Sequence, residues 1–404
     1  MGRIYDPEQF GELEVLLKIS AVFIAIAGFR YEMAIVVENE ARKARDLTRL
    51  SIFLNSIISS ILLILILLFR QQFSHWLGIT NHNILFVIPL IVWLSGCAEA
   101  IILWRNREKK YRTISVNRIA TSASATGYKL SHPFIASIPI NGLVLGQVIG
   151  QLVALVHIAY KLPFNLFRTT KKRLKEVAQL YKSFPIYSMP SGLLNLLATS
   201  MPVFLISYYA GQKATGYFAY AFKLSYLPLG MIALAMGQVL FERLSRMKDD
   251  RTETAEISQN LLKLLVGISV IPAIVLFFWG EELMVWAMGS KWKIAGVYVE
   301  NTILFYIAMF VSNPFFCTFD VYKKLDKELL FNIVFIAAST LSMILAYHYY
   351  QSTLIALQWY SLVGILLRIG ILHYFFGLVG RHKLTILLLV TAIAGCIYYI
   401  LQFQ

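Results

Sequence analysis

Long apolar runs alternate with short polar segments along the whole chain. Runs of about 20 apolar residues, the length needed to cross the hydrocarbon core of a bilayer, recur throughout the sequence. They predict about twelve membrane-spanning helices, at 12–37, 50–69, 84–104, 113–130, 136–160, 187–209, 214–241, 259–280, 296–318, 329–348, 353–376 and 384–402. A β-barrel would show short segments of alternating polarity instead. The pattern therefore predicts an all-α polytopic membrane protein.

Composition supports this class and excludes a soluble globular protein. The 404 residues are 58% hydrophobic and 15% charged, with a mean hydropathy of +0.65, and polar residues are too few to cover a water-exposed surface. Residues 1–11 are polar, so no cleavable signal peptide is expected. The fourth span, with SVNRIATSASATGYKL, is polar and rich in small residues. We expect it inside a helix bundle and not against lipid.

Charged residues in the loops predict the orientation. One set of alternate loops, at 42–49, 105–112, 161–182, 243–251, 323–327 and 381–383, holds 25 Lys and Arg residues, and the other loops hold six. The rule that cytoplasmic loops are positive places the first set in the cytoplasm and both chain ends outside. It also explains the net charge of +15 without a nucleic-acid partner.

An internal repeat suggests two lobes. GELEVLLKIS at 11–20 aligns without gaps with GYFAYAFKLS at 216–225, each at the outer start of a span that runs inward. Two such halves form a parallel repeat of the kind found in transporters. The second copy is preceded by a full span and the first is not, so we expect the N-terminal lobe to lack its first helix. The predicted domains are an N-terminal lobe at 1–160, a basic cytoplasmic linker at 161–186, a C-terminal lobe at 187–380 and an extra span at 381–404.

Ionisable residues inside predicted spans are the candidate functional groups. Such a group at bilayer depth costs about 3 kcal/mol or more, so it faces a cavity or a partner, or its side chain extends to the interface. The candidates for an anionic ligand are Arg30, Arg118, Lys223, Lys18 and Arg368, and those for ion coupling are Glu99 and Glu32. The balance is cationic, which suits phosphate. Physical reasoning alone thus predicts a two-lobed transporter for an anion.

Other features carry less functional information. KKRLKEVAQLYK in the linker is either a helix on the anionic inner leaflet, through Leu174, Val177 and Leu180, or a plain basic linker. Cys97, Cys317 and Cys396 have no disulfide or zinc spacing, the histidines are scattered, and no metal site or cofactor is predicted. No GxSxG, P-loop or HExxH motif occurs, which argues against an enzyme.

Several segments together resemble the polysaccharide transporter family of the multidrug/oligosaccharidyl-lipid/polysaccharide exporter superfamily, which includes the O-antigen (Wzx-type) flippases. They are RIYDPEQFG, FRYEMAIV at 29–36, LWRNREKKYRTISVNRI at 103–119, YKSFPIYSMPSGLLNLLATSMPVFLISYYAGQKATGYFAYAFKLSYLP at 181–228 and GSKWKIAGVY at 289–298. The family has twelve to fourteen helices and a cytoplasmic N-terminus. This chain departs from that pattern, because its sequence predicts that the family's first helix is absent.

The resemblance implies a flippase in the inner membrane. Its substrate would be an oligosaccharide on undecaprenyl diphosphate, moved from the inner to the outer leaflet by alternating access, with membrane lipids and polysaccharide polymerase machinery as partners. Three alternatives stay open: a drug exporter of the same superfamily, a membrane glycan polymerase or ligase, and a non-transporting scaffold.

Overall fold

The computed structural model describes residues 1–79, 81–135, 141–160, 162–166, 168–247, 250–322 and 324–378. All regular elements in this part of the chain are helical. The α-helices are α1 (Pro7–Ala27), α2 (Tyr31–Val37), α3 (Ala41–Leu77), α4 (Val87–Arg107), α5 (Tyr111–Ile135), α6 (Gly142–Ala159), α7 (Lys171–Leu180), α8 (Met189–Met247), α9 (Arg251–Phe278), α10 (Gly280–Met288), α11 (Lys293–Ser312), α12 (Cys317–Val321), α13 (Leu325–Tyr350) and α14 (Thr353–Leu378). A π-helical turn, Phe184–Ser188, precedes α8.

Within the described residues, eight helical stretches are long and apolar enough to cross a membrane. They are Ala41–Leu77, His82–Arg107, Gly142–Ala159, Thr199–Arg246, Thr252–Phe278, Ser290–Phe319, Asp326–Tyr350 and Thr353–Gly377. The predicted all-helical class is confirmed, and each predicted span before residue 379 falls on one or two of these helices or on α1, α2 or α5. The span at 384–402 lies outside the described residues, so twelve crossings stay a prediction.

The chain divides into two compact units. Unit 1 contains Met1 and Arg3–Gln212, and unit 2 contains Gly2 and the residues from Lys213 onward. The division follows Gly211, whose backbone (φ 78°, ψ −178°) interrupts the helical path of α8. Glycine adopts this conformation without the steric cost of a Cβ atom. The two predicted spans at 187–209 and 214–241 therefore lie on either side of this break.

The first predicted span consists of two helices. The sequence pattern predicts one span over 12–37, whereas the structure ends α1 at Ala27 and starts α2 at Tyr31. Phe29 and Arg30 between them have left-handed backbones, with φ of 50° and 59°. A periodic apolar pattern does not reveal such a break, because neighbours on both sides remain apolar. Hydropathy therefore located helical structure here but missed the break, and a membrane crossing by 12–37 stays a prediction.

Helix α7 packs against the protein through the apolar stripe of the basic linker. Val177 is only 2% exposed and lies in a core cluster with residues of α2, α3 and α4, including Tyr31 and Trp104. Leu174 packs against the same cluster, while Leu180 is exposed. The predicted helix is present, but most of its apolar stripe is covered by protein and cannot insert into a leaflet.

The two copies of the predicted repeat have matching burial. Both copies are helical, one in α1 and one in α8. Gly11 and Gly216 are buried, Lys18 and Lys223 are half-buried, and Ser20 and Ser225 are buried. Equivalent burial at all three matched residue types supports the repeat, which nevertheless stays a prediction at the level of complete lobes.

Helices α5 and α6 approach closely at glycines of α6. A Cβ atom on Gly150 would lie 2.8 Å from the Ala125 Cβ and 3.1 Å from the Thr121 carbonyl oxygen. Gly146 meets the same turn of α5, where a Cβ atom would lie 2.9 Å from the Ala125 carbonyl oxygen. Small residues permit such contact between membrane helices, which gain little from the hydrophobic effect in lipid.

We expect Gly150→Ala to lower the thermal stability of the purified protein. The added methyl group must push α5 and α6 apart, an overpacking that costs about 1–3 kcal/mol. Gly127→Ala on α5 is the matched control, since no atom lies within 4 Å of a Cβ there. Unfolding temperatures in detergent measure both effects, and equal temperatures for the two variants would contradict the close approach.

A hydrogen-bonded bracket joins α7 to the loop between α2 and α3. The Tyr181 hydroxyl donates to Glu38 Oε2 at 2.8 Å, and the Glu40 N–H donates to Glu38 Oε1 at 2.8 Å. Burial raises the pKa of Glu38, but these two hydrogen bonds, the Lys43 ammonium and the Asn39 N–H together lower it by more, so it lies below its ordinary value. Burial and the Glu38 carboxylate raise the pKa of Tyr181 to about 12.

The bracket should stabilise the protein at neutral pH and weaken in acid. Because the pKa of Glu38 is lowered on folding, its contribution is present above the unfolded pKa and is lost as pH falls through the folded pKa. Tyr181→Phe should cost about 1–2 kcal/mol at neutral pH. Unfolding temperatures of wild type and variant should converge in acid, with Tyr187→Phe, at an exposed tyrosine, as control. A difference that does not change with pH would refute the bracket.

Candidate functional site

The break between α1 and α2 places Arg30 at the entrance to α2. Its left-handed backbone occupies the position before Tyr31, the first residue of α2. The Tyr31 hydroxyl donates to the Ala178 carbonyl oxygen at 3.1 Å, which fixes this end of α2 against α7. A non-glycine residue rarely adopts this conformation, and two in succession are maintained only where the surrounding packing imposes them. The backbone from which the Arg30 side chain extends is therefore held in one conformation by the surrounding packing.

The Arg30 guanidinium lies against α8 and lacks an acceptor at Nε. A Cβ atom on Gly192 would overlap Arg30 Nη2 and lie 3.0 Å from Cζ and 3.1 Å from Nε. The buried Nε has no hydrogen-bond partner among the described residues. A guanidinium with an unused donor is a suitable group for an anionic ligand.

Glu32 lies beside Arg30 on the first turn of α2. It is 9% exposed, and its Oε2 atom has no hydrogen-bond partner in the described part of the chain. A Cβ atom on Gly28 would overlap this oxygen and lie 3.1 Å from the Glu32 Cδ. The carboxyl group also interacts electrostatically with Arg30 and Glu99. Glu32 is thus part of the same charged group as Arg30.

Glu99 and Arg118 extend this group across α4 and α5. The Glu99 carboxyl interacts electrostatically with Arg118 and Arg30, and both Glu99 and Arg118 are exposed in unit 1. The structure thus brings together four of the predicted residues, Arg30, Glu32, Glu99 and Arg118, which we call the unit 1 charged cluster. Beside Arg118, the Asn117 amide donates to the Ala154 carbonyl oxygen at 2.8 Å and holds α5 to α6.

One face of α5 is both polar and exposed. Ser115, Arg118, Ser122 and Thr126 recur at helical spacing on this face, and all four are exposed, while Ala125 on the other side packs against α6. If this helix crosses the membrane as the sequence predicts, lipid offers these groups no hydrogen-bond partners, so we expect the guanidinium in particular to contact water or a ligand. The sequence predicts that this helix lies inside a helix bundle. In the structure, only the side that faces α6 is packed in this way.

The described ion pair of Lys18 is with a residue outside the unit 1 charged cluster. Its ammonium lies 3.9 Å from Glu14 Oε1, one turn earlier on α1, and its side chain is 24% exposed. This intrahelical ion pair partly neutralises the lysine. Lys223, its predicted counterpart in the repeat, lies half-buried on the part of α8 in unit 2.

Arg368 lies in the interior of unit 2 and is 9% exposed. Its Nη1 donates to Asn313 Oδ1 at 2.6 Å, and its Cζ lies 5.0 Å, 5.1 Å and 5.9 Å from the ring centroids of Phe335, Phe316 and Phe331. The Asn313 amide in turn donates to the Tyr226 hydroxyl. Cation–π contacts and one hydrogen bond thus hold this guanidinium within the protein.

Sequence reasoning named the charges of the cluster but missed the glycines beside them. Gly28 and Gly192 leave the space that the Glu32 carboxyl and the Arg30 guanidinium occupy. The sequence offered one weak signal: an isolated glycine in a helical pattern suggests a close approach. It could not identify the partner, because Gly192 is far from Arg30 in the chain.

The different surroundings of two arginines predict stability effects of different size. Arg368→Gln removes the Asn313 hydrogen bond and three cation–π contacts from a buried position, so it should cost about 2–3 kcal/mol. Arg118→Gln alters an exposed side chain and should change stability by about 0.5 kcal/mol or less. Unfolding temperatures of the two purified variants give the comparison. Similar losses would mean that Arg118 is also held by the protein interior.

Comparisons with known proteins agree on the class of molecule. A putative O-antigen transporter from Shigella flexneri is 21% identical over 357 residues, covering 81% of this chain and 80% of the relative. An uncharacterized membrane protein in the cps region of Klebsiella pneumoniae is 23% identical over 346 residues, covering 83% of this chain and 68% of the relative. The chain is a multi-pass membrane protein similar to transporters and not to enzymes.

Solved structures share its fold. The lipid II flippase MurJ in an inward closed conformation matches with a TM-score of 0.73 at 13% identity, covering 98% of this chain and 93% of that one. The Vibrio cholerae MATE transporter VcmN matches with a TM-score of 0.51 at 14% identity, covering 90% and 84%. A family model described as "Polysaccharide biosynthesis protein" matches residues 1–297. This chain therefore belongs to the polysaccharide biosynthesis protein family.

Proposed function

We propose that this protein flips an oligosaccharide linked to undecaprenyl diphosphate from the inner to the outer leaflet of the inner membrane. Transport would proceed by alternating access of the two units. The observation that carries the proposal is the guanidinium of Arg30, which is held by a fixed backbone and has a buried Nε donor without an acceptor among the described residues. An anion in this region would use that donor.

A diphosphate suits the unit 1 charged cluster because of its charge and geometry. Guanidinium groups bind phosphate oxygens through paired N–H donors, and Arg30 and Arg118 provide two such groups in one region. Glu99 interacts with both, so the local positive charge is partly balanced before the ligand arrives. Moderate net attraction favours transport, since a flippase must release the diphosphate on the other side. Lys18 is a further proposed contact.

The polar face of α5 supports a carbohydrate substrate. Ser115, Ser122 and Thr126 offer hydroxyl groups that both donate and accept hydrogen bonds, as sugar hydroxyls require. The polyprenyl chain would remain in the lipid while the head group crosses, so the protein needs no cavity for this chain. This division of the substrate between a wet protein surface and the bilayer explains how a large sugar could cross with its lipid still attached.

The remaining candidates have less specific roles in the proposal. Lys223 and Arg368 stay predictions as diphosphate contacts from unit 2, and Arg368 already has protein partners. Glu32 and Glu99 stay predictions for ion coupling. Polysaccharide polymerase machinery stays a predicted partner.

A drug exporter of the same superfamily is the second candidate function. The VcmN similarity favours it at the level of fold, with a TM-score of 0.51. Such an exporter of cationic drugs would need acids to dominate its site, whereas the unit 1 charged cluster contains two arginines beside two glutamates. The lower similarity and the charge balance place it second. A glycan polymerase or ligase is disfavoured because the Shigella flexneri relative is described as a putative O-antigen transporter and the MurJ structure, which shares the fold, as a flippase.

Replacing both arginines of the cluster should abolish diphosphate binding and transport. Arg30→Ala with Arg118→Ala removes two guanidinium groups, and each lost charge-assisted contact should weaken binding by about tenfold or more. Binding of undecaprenyl diphosphate to the purified protein measures this, with undecaprenyl monophosphate and undecaprenol as comparison ligands. A deletion strain carrying the double variant should accumulate lipid-linked oligosaccharide.

Lys263→Ala is the matched control, because Lys263 is an exposed cation in unit 2 outside the cluster. It should retain wild-type binding and transport at the same membrane abundance. Wild-type transport by the double arginine variant would overturn the proposal. Tighter binding of a cationic drug than of undecaprenyl diphosphate would favour the exporter.

A further inference from the structure

We infer that Gly192 is a positioning residue for the Arg30 guanidinium. The inference rests on the proposed function where it concerns ligand affinity, and on geometry alone where it concerns the side chain. Nη2, Cζ and Nε of Arg30 all lie within reach of a Cβ atom at Gly192, so the guanidinium lies across the α8 backbone at this residue. No other residue type leaves this space open.

The segment before Gly192 brings the α8 backbone to α2. A π-helical turn over Phe184–Ser188, with Pro185 at its start, contacts α2 and leads directly into α8. π-Helical turns and proline alter the direction of a helix and frequently occur at functional sites. Arg30 is therefore confined on two sides, by its own left-handed backbone and by the α8 backbone at Gly192.

A methyl group at Gly192 should displace Arg30 and leave the fold intact. The atoms that a Cβ would meet are the far end of a flexible side chain, which can move at low cost. At Gly150, by contrast, the nearby atoms belong to Ala125 and to the Thr121 backbone. Gly192→Ala should thus change the position of a functional group, whereas Gly150→Ala changes helix packing.

Positioning matters because a guanidinium binds phosphate in a planar, paired arrangement. An arginine held in place loses less conformational freedom on binding than a mobile one. Gly192 would act in this way without contacting the ligand itself. We therefore expect the α8 backbone at Gly192 to contribute to affinity through Arg30 alone.

The test compares Gly192→Ala with Gly127→Ala in the full-length protein. Gly127 lies in unit 1 on α5, and a Cβ atom there would have no neighbouring atom within 4 Å. Gly192→Ala should weaken binding of undecaprenyl diphosphate by about tenfold, as expected for one lost charge-assisted contact, with an unchanged unfolding temperature. Gly127→Ala should change neither quantity. In an Arg30→Ala background, Gly192→Ala should have no further effect on binding.

A rescue variant separates positioning from packing. Lysine lacks the branched end of arginine that overlaps the new methyl group, so Arg30→Lys combined with Gly192→Ala should bind better than Gly192→Ala alone. Equal losses from Gly192→Ala with arginine or alanine at residue 30 would overturn the inference, since the effect would not pass through Arg30.

A spectroscopic readout tests the geometry without any ligand. In protein labelled with ¹⁵N-arginine, the Arg30 Nε signal is identified by its loss in Arg30→Lys. Gly192→Ala should shift this signal and Gly127→Ala should not. A shift in a protein that binds no undecaprenyl diphosphate would support the positioning and refute the proposed function. An unshifted signal would overturn the positioning whatever the ligand.

Discussion

The cost of a polar group in hydrocarbon is the constraint on which this structure depends. The exposed face of α5 carries Ser115, Arg118, Ser122 and Thr126, and in the predicted span at 113–130 lipid would offer none of them a hydrogen-bond partner. We therefore expect this face, and its guanidinium above all, to contact water or a polar ligand. The opposite side of the same helix packs closely on α6 at Gly146 and Gly150. Close packing on one side thus secures a helix whose other side must remain wet.

The same constraint separates two kinds of arginine in the protein. Arg368 is surrounded by three phenylalanine rings and donates to Asn313, so the protein itself provides its partners. Both arginines have a buried Nε without a described acceptor, but no guanidinium hydrogen bond is described for Arg30 to match the one from Arg368 to Asn313, and Arg30 lies against a glycine. A guanidinium that is hydrogen-bonded and enclosed by aromatic rings mainly stabilises the fold, whereas one with only electrostatic partners keeps its donors for a ligand. Charge at membrane depth alone does not distinguish these roles.

Sequence patterns predicted the spans and the charges because these depend on composition. Hydropathy located the eight described stretches that are long and apolar enough to cross a membrane, and the ionisable residues inside predicted spans included the four members of the unit 1 charged cluster. The helix break at Phe29 and Arg30 was not predictable, because tertiary packing and not local polarity imposes a left-handed backbone. From the sequence, the apolar stripe of α7 could contact either lipid or the rest of the protein. The structure shows that Val177, in this stripe, is buried against the protein.

The unit 1 charged cluster also indicates how a flippase could combine recognition with release. Recognition requires that Arg30 be held in place, and the backbone break and the α8 backbone at Gly192 both restrict it. Release requires that binding not be too strong, and Glu32 and Glu99 lie within electrostatic range of Arg30. In the proposed function, these carboxylates can balance the remaining cation when the diphosphate leaves. A site with arginines alone would bind more tightly but would leave uncompensated charge in the membrane after each transport step.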